Sequence, residues 1–189
     1  MNWKSQAGQD RMAHHIATKI AGVKHPVFWD IGCGDEQFSN TLALEELGWN
    51  GIALDQLDPV EALAEHRRAL YISADATTMD WLPHIPVSGQ VEYLSLDVDH
   101  ASLQALNSLP LKRVTFCFAT VEHDAYRFGD DLRPDMRKIM SNAAYHLLCA
   151  DVKSNDYIYE DSFVNPGRPF EVLTSFTRNN QEGWSIDLP

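Results

Sequence analysis

The segment PVFWDIGCGDEQFSNTLALEELGWNGIALD, residues 26–55, carries the pattern that decides the fold. A short apolar run, PVFWDIG (26–32), ends in two glycines two residues apart, Gly32 and Gly34. Ser39 then stands where it can cap a helix through TLALEELG, and Gly48 is placed to stop it. GIALD (51–55) is a second short apolar run. Strands buried on both faces read as continuous apolar runs, so strand, helix and strand in this order predict a parallel βαβ unit.

Working outward, the alternation continues. PVEALAEHRRAL (59–70) reads as a helix, LYISAD (70–75) as a third strand and VEYLSLDVD (91–99) as a fourth. Leu103, Leu106 and Leu109 mark a short helix, and RVTFCFATVE (113–122) is the strongest strand pattern in the chain. Leu132, Met136, Ile139 and Met140 form a helical stripe, YHLLCADV (145–152) returns to strand, and YEDSFV (159–164) reads as an edge strand. Upstream, Met12, Ile16 and Ile20 recur at helical spacing before Gly22. ATTMDWLPHIPVSGQ (76–90), with two prolines and a glycine, reads as a loop or a broken helix. The pattern predicts an α/β architecture of three layers, a mostly parallel sheet with helices on both faces. It is read as one domain over residues 1–189: an N-terminal helical segment (1–25), a core (26–166) and a tail (167–189).

The 189 residues carry 15 Lys and Arg against 27 Asp and Glu, a formal charge of −12. That balance argues against nucleic acid or an anionic membrane surface as a partner, since both are bound by clustered cations. The densest basic patch, His66-Arg67-Arg68, follows Glu61 and Glu65 at helical spacing and reads as a solvated helical face. Cys33, Cys117 and Cys149 are far apart and form no CxxC pair, which suits a reducing cytoplasm rather than a disulfide framework or a zinc site. The N-terminus is polar where a signal peptide would be apolar, and no run reaches the roughly 18 apolar residues of a membrane span. A cytoplasmic protein is expected, with self-association as a homodimer left open.

In open α/β sheets ligands bind outside the carboxyl ends of the strands. Those ends carry acids repeatedly: Asp30, Asp55, Asp75, Asp97 with Asp99, and Glu122 with Asp124. A single Asp there is often only a helix cap. Acids at five successive ends predict a polar, negative cleft. The turn Asp30-Ile31-Gly32-Cys33-Gly34-Asp35-Glu36 lets a ligand approach the backbone, but Glu36 stands directly before the position where a dinucleotide fold carries its third glycine, and that glycine is absent. A pyrophosphate would be repelled there, whereas S-adenosylmethionine (SAM), with its sulfonium and amino group, would not. Asp55 lies about 20 residues beyond the turn, the spacing at which an acid meets ribose hydroxyls. Asp75 is placed to accept from an adenine amino group or simply to hold a turn.

Taken together, Ser5-Gln6, Gly8-Gln9-Asp10, FWDIGCGDEQFSNTLALEELGWNGIALD, YLSLDVD, VEHDAYRFGDD, YHLLCADV and YEDSFVNP resemble the FkbM-type branch of class I SAM-dependent methyltransferases. The resemblance spans most of residues 5–166. It implies a seven-stranded sheet with the last strand antiparallel, and methyl transfer from SAM, commonly to a hydroxyl of a small molecule or sugar. It also implies that Gln9, Asp30, Gly32, Gly34 and Asp55 contact the cofactor. The chain departs from the family at Glu36, at Gln56-Leu57-Asp58 after Asp55, and at His100.

A hydroxyl acceptor needs a base. Asp97, Glu122 and His123, at adjacent strand ends, are the candidate catalytic residues. Asp97, Asp99 and Glu122 are also an oxygen-rich set of the kind that suits Mg²⁺ or Mn²⁺. Two other readings stand beside the methyltransferase: a non-catalytic SAM-binding or interaction module, and an NAD-dependent oxidoreductase, which Glu36 opposes.

Overall fold

A computed structural model describes residues 2–34, 38–56, 67–127, 131–154, 156–165 and 167. Seven strands form one sheet: β1 (Val27–Ile31), β2 (Asn50–Asp55), β3 (Leu70–Ser73), β4 (Gln90–Leu96), β5 (Thr115–Glu122), β6 (His146–Ser154) and β7 (Tyr157–Val164). Their order is β3-β2-β1-β4-β5-β7-β6. The first five run parallel, and β7 is antiparallel to both β5 and β6. The expected mostly parallel, helix-covered sheet is the observed one.

Alternate residues of each central strand serve opposite layers. Trp29, Leu94 and Phe116 pack with Met136 and Met140 of α4 (Arg133–Asn142) and Leu106 of α3 (Ser102–Ser108). On the other face Phe28, Tyr93 and Phe118 pack with Met12 and Ile16 of the N-terminal helix. That helix starts as α1 (Gln9–His14) and widens into a π-helical turn over His15–Ile20, so its apolar stripe survives the change of pitch. Ser39 accepts from the backbone N–H groups of Thr41 and Leu42 at the start of α2 (Leu42–Glu46), and Gly48 ends the turn after it with φ of 87°. The 76–90 stretch contains a short 3₁₀ turn at Leu82–His84, in keeping with its prolines. The helix expected at 59–70 and the tail beyond 167 lie largely outside the described residues.

One strand expectation needs correction. YEDSFV is interior, flanked by β5 and β6, and β6 forms the edge. Its Glu160, Asp161 and Ser162 are all buried. Polar residues in a strand suggest an edge only while their partners are unknown. Here Gln9 reaches Glu160, and Arg137 of α4 forks onto Asp161 at 2.7 and 2.9 Å.

The β1 turn is bound tightly to its neighbours. The N–H groups of Gly32 and Cys33 both reach the Leu54 carbonyl, at 2.8 and 3.1 Å, and Asp97 N–H reaches Ile31 O at 2.8 Å. Gly32 has φ of +80°, and a Cβ there would fall 1.6 Å from the Asp97 carbonyl oxygen. Gly34 also has positive φ, +55°, but nothing lies within 4 Å of its Cβ position. Gly32→Ala therefore adds a backbone collision to the left-handed penalty of about 1–2 kcal/mol. Thermal denaturation should show a loss of about 5 °C or more for Gly32→Ala and a clearly smaller loss for Gly34→Ala. Equal losses would mean the close approach to β4 is not a constraint.

Candidate functional site

The strand order reverses direction between β1 and β4, the position at which α/β sheets open a crevice. Here it is a cleft of about 590 Å³ whose walls include Gly32, Gly34, Asp55, Asp75, Asp97 and Asp99. No Lys or Arg is among its described lining residues. A smaller pocket of about 230 Å³ shares Gly32, Gly34 and Asp97 with it and extends to Gln6, Gln9, Asp30 and Tyr159. Four of the expected strand-end acids thus gather around one space, with Asp30 beside it.

Their carboxylates are in different states of engagement. Asp55, at the end of β2, accepts the Gly34 N–H at 2.8 Å, which ties the glycine turn to the second strand. Asp75 accepts from the Thr77 hydroxyl at 2.7 Å and its N–H at 2.8 Å. Those bonds hold its carboxyl below the usual range, the hydroxyl contributing most. Asp75 therefore holds a turn and lines the cleft at once. Asp99 has φ of 50°, is exposed, and meets Arg127 at 2.6 Å. Asp97 is half-buried at the junction of the two pockets. Burial first, and then Asp124, Asp99 and Asp30, push its carboxyl up to about 7.

Asp30 is 2% exposed and accepts from the Thr41 hydroxyl and from Arg67 at 3.2 Å. Arg67 also meets Glu45 at 2.6 Å and donates to Thr41 at 2.6 Å. The expected solvated basic face is overturned at this residue. The Arg67 side chain is only 3% exposed, because two buried carboxylates hold it in the layer beneath the β1 turn. Arg67 was missed because its partners lie 22 and 37 residues away.

Glu122 and His123 are consecutive at the end of β5, and the structure separates them. Glu122 lies opposite Glu160 across the antiparallel pair β5–β7. His123 is 1% exposed; its Nδ1 accepts the Ala125 N–H at 3.2 Å, and its Nε2 stands 3.8 Å from Asp161. Burial lowers its pKa more than Asp161 raises it. His123 thus belongs with Asp161 and Arg137, away from the Asp97 cleft. The oxygen-rich set Asp97, Asp99 and Glu122 does not converge either. Among the described residues, the three groups with ligand atoms within 4.8 Å of one another are His123, Asp151 and Asp161. The two carboxylates in that set already hold arginines, Arg133 at 2.9 Å and Arg137 at 2.7 to 2.9 Å. It is an ion-pair network, and neither set supports the expected Mg²⁺ or Mn²⁺.

Gln9 sits where the N-terminal helix meets the smaller pocket. Its Oε1 accepts the Ala7 N–H at 2.8 Å, which orients the amide. Its Nε2 donates to the Tyr159 hydroxyl at 2.8 Å and to Glu160 Oε2 at 3.1 Å. Burial, opposed by the Gln9 bond, pushes Glu160 up to about 8. Tyr159 and Glu160 were not singled out as site residues. An acid embedded in a strand pattern was the one available signal, because such a group must find a partner or keep its proton.

No family model and no curated protein sequence matches this chain. Solved structures do match its fold. A precorrin-6y C5,15-methyltransferase from Geobacter metallireducens shares 13% identity over 82% of this chain and 88% of its own, with a TM-score of 0.52. A TehB-like SAM-dependent methyltransferase from Corynebacterium glutamicum shares 14% over 84% and 87%, with a TM-score of 0.53. A protein of the NADB-Rossmann superfamily from Streptococcus agalactiae shares 11% over 87% and 69%, with a TM-score of 0.52. This is the class I methyltransferase fold. Among the described residues no helix is long and apolar enough to cross a membrane.

The raised carboxyl of Glu160 has a consequence for stability. The folded chain keeps this proton in a range where the unfolded chain has lost it. The associated stability is complete below about pH 4 and declines as pH rises to about 8. Glu160→Gln removes the charge and with it the decline. Its Tm relative to the unaltered protein should therefore rise between pH 4.5 and pH 8.5, by several degrees at the upper end. A difference that stays flat with pH would refute the buried, proton-holding state.

Proposed function

We propose that this chain transfers a methyl group from S-adenosylmethionine to a hydroxyl of a small molecule or sugar, in the manner of the FkbM-type enzymes its sequence resembles. The observation that carries the reading is the Gly34–Asp55 contact at the mouth of a cleft walled by carboxylates and free of described cations. The donor set fits the cofactor. Asp55 can accept two vicinal ribose hydroxyls, and backbone at Gly32 and Gly34 is approachable without side chains. Asp30, Asp97 and Gln9, around the smaller pocket, suit an amino acid end that carries a positive amine. A dinucleotide pyrophosphate would face acids there in place of basic groups.

When bound, S-adenosylmethionine supplies a methyl group already activated on cationic sulfur. The chain has to orient the acceptor, exclude water and take up a proton. Asp97 lies where the two pockets meet, and a carboxyl near pH 7 is tuned to accept a proton from a hydroxyl and release it again. Glu122, at the adjacent strand end, is the second candidate for that proton. His123 turns towards Asp161 and has no part in the step. The negative walls favour a neutral or cationic acceptor over nucleic acid.

Calorimetry with S-adenosylmethionine, S-adenosylhomocysteine, NAD and NADP tests the reading. The two adenosyl ligands should bind and the dinucleotides should not. Asp55→Ala should weaken S-adenosylhomocysteine by about 1.5–3 kcal/mol, the scale of hydrogen bonds to a charged group. Unchanged affinity in a folded Asp55→Ala protein would overturn the cofactor assignment. Tight NAD binding would favour the oxidoreductase reading instead.

A further inference from the structure

Tyr159, near the start of β7, is held against the carboxyl end of β5. Its carbonyl accepts the N–H groups of His123 at 2.7 Å and Asp124 at 3.2 Å. Its ring belongs to the apolar layer of Met12, Tyr93 and Phe118, and the residue is 5% exposed. The freedom left to this side chain is the direction of its hydroxyl proton.

Gln9 constrains that direction. Its Oε1 is taken by the Ala7 N–H, so its Nε2 is the atom that faces the Tyr159 oxygen at 2.8 Å and Glu160 Oε2 at 3.1 Å. The Tyr159 oxygen is therefore an acceptor towards Gln9, and its own O–H has to find an acceptor elsewhere. Gln9 and Tyr159 both line the smaller pocket of about 230 Å³. The hydroxyl end of Tyr159 is the end that meets Gln9, so it is the end that borders this space.

The charge of the pocket sets what such a donor is for. Its described lining carries the carboxylates of Asp30 and Asp97 and no Lys or Arg. The amino acid end of S-adenosylmethionine is a zwitterion. Acids suit its ammonium group, but its carboxylate meets no cation here and has to be held by neutral donors. Gln9 Nε2 is spent on Tyr159 and Glu160, and Asn40 donates to Ser95 at 3.0 Å. A phenolic O–H turned to a carboxylate makes a short, charge-assisted bond.

We infer that the Tyr159 hydroxyl, aimed by Gln9, holds the carboxylate of the cofactor in the smaller pocket. The inference rests on the transfer reading and deepens it. The site reads both charges of the amino acid end, the amine through acids and the carboxylate through a phenol. It therefore rejects adenosyl ligands that lack the carboxylate. Tyr159 is a binding residue in this scheme, Gln9 is its positioning residue, and neither takes the acceptor's proton.

Three ligands with a common adenosyl group separate the two charges. They are S-adenosylhomocysteine, its decarboxylated analogue S-adenosyl-3-thiopropylamine, and 4-(5′-deoxy-5′-adenosylthio)butanoate, which lacks the amine. Each is titrated by calorimetry at pH 7.5 into the unaltered protein and into Tyr159→Phe, whose fold is checked by circular dichroism. The unaltered protein should bind S-adenosylhomocysteine at least about tenfold more tightly than the propylamine, the scale of a hydrogen bond to a charged group. Tyr159→Phe should weaken both carboxylate-bearing ligands by about tenfold and leave the propylamine within about twofold. A tyrosine with a merely structural role would weaken all three alike. That uniform loss overturns the inference, as does an unchanged S-adenosylhomocysteine affinity in Tyr159→Phe. So does a propylamine that binds the unaltered protein as tightly as S-adenosylhomocysteine, a comparison that needs no variant. Failure of all three ligands to bind the unaltered protein would instead count against the transfer reading beneath it.

Discussion

Gly32 lies against the Asp97 carbonyl so closely that a single carbon more would not fit. This contact brings the end of β1 onto the end of β4 at the point where the strand order reverses. Both pockets open around it, and they share Gly32, Gly34 and Asp97 as common wall. The hydrogen bonds from Gly32 and Cys33 to Leu54 and from Asp97 to Ile31 hold β2, β1 and β4 to one geometry. A side chain at Gly32 would push the strands' ends apart, and the acids on those ends would no longer face a common space.

Charge then sorts the acids by what they are already doing. Asp30 and Glu45 hold Arg67 inside the protein, while Asp151 and Asp161 hold Arg133 and Arg137. Asp30, Glu45 and Asp161 are themselves buried, and removing the arginine from any of them leaves an uncompensated buried charge, so these three are structural before they are anything else. Asp75 is committed to Thr77, and Asp99 to Arg127. Asp97, Asp124 and Glu160 differ in kind. Glu160 is buried beside Gln9, Asp124 is buried with Arg127 at 4.0 Å, and Asp97 is half-buried; burial pushes each above the ordinary carboxylate range. Raised carboxyls of this sort are where proton uptake and the recognition of positive groups are concentrated. Of the three, Asp97 lines the cleft, and Asp124 follows the neighbouring strand β5.

The sequence by itself determined the layers. Apolar runs of strand length separated by helical stripes leave few arrangements that bury both, and a parallel sheet covered on two faces is the one observed. It also determined that acids would crowd the carboxyl ends of the strands, because strand ends can be located from the runs that precede them. Asp55 and its glycine turn were legible for that reason, with partners only about 20 residues apart. Only the tertiary structure decided which acids are free to act. Arg67 and Asp30, Arg137 and Asp161, and Gln9 and Glu160 meet across 37, 24 and 151 residues, and no local pattern announces such pairs. The same holds for Glu122 and His123. Neighbours in an extended chain point to opposite faces, so their closeness in sequence placed one against β7's Glu160 and the other against the arginine network. Composition counts charges, but burial and the nearest opposite charge decide what each one does.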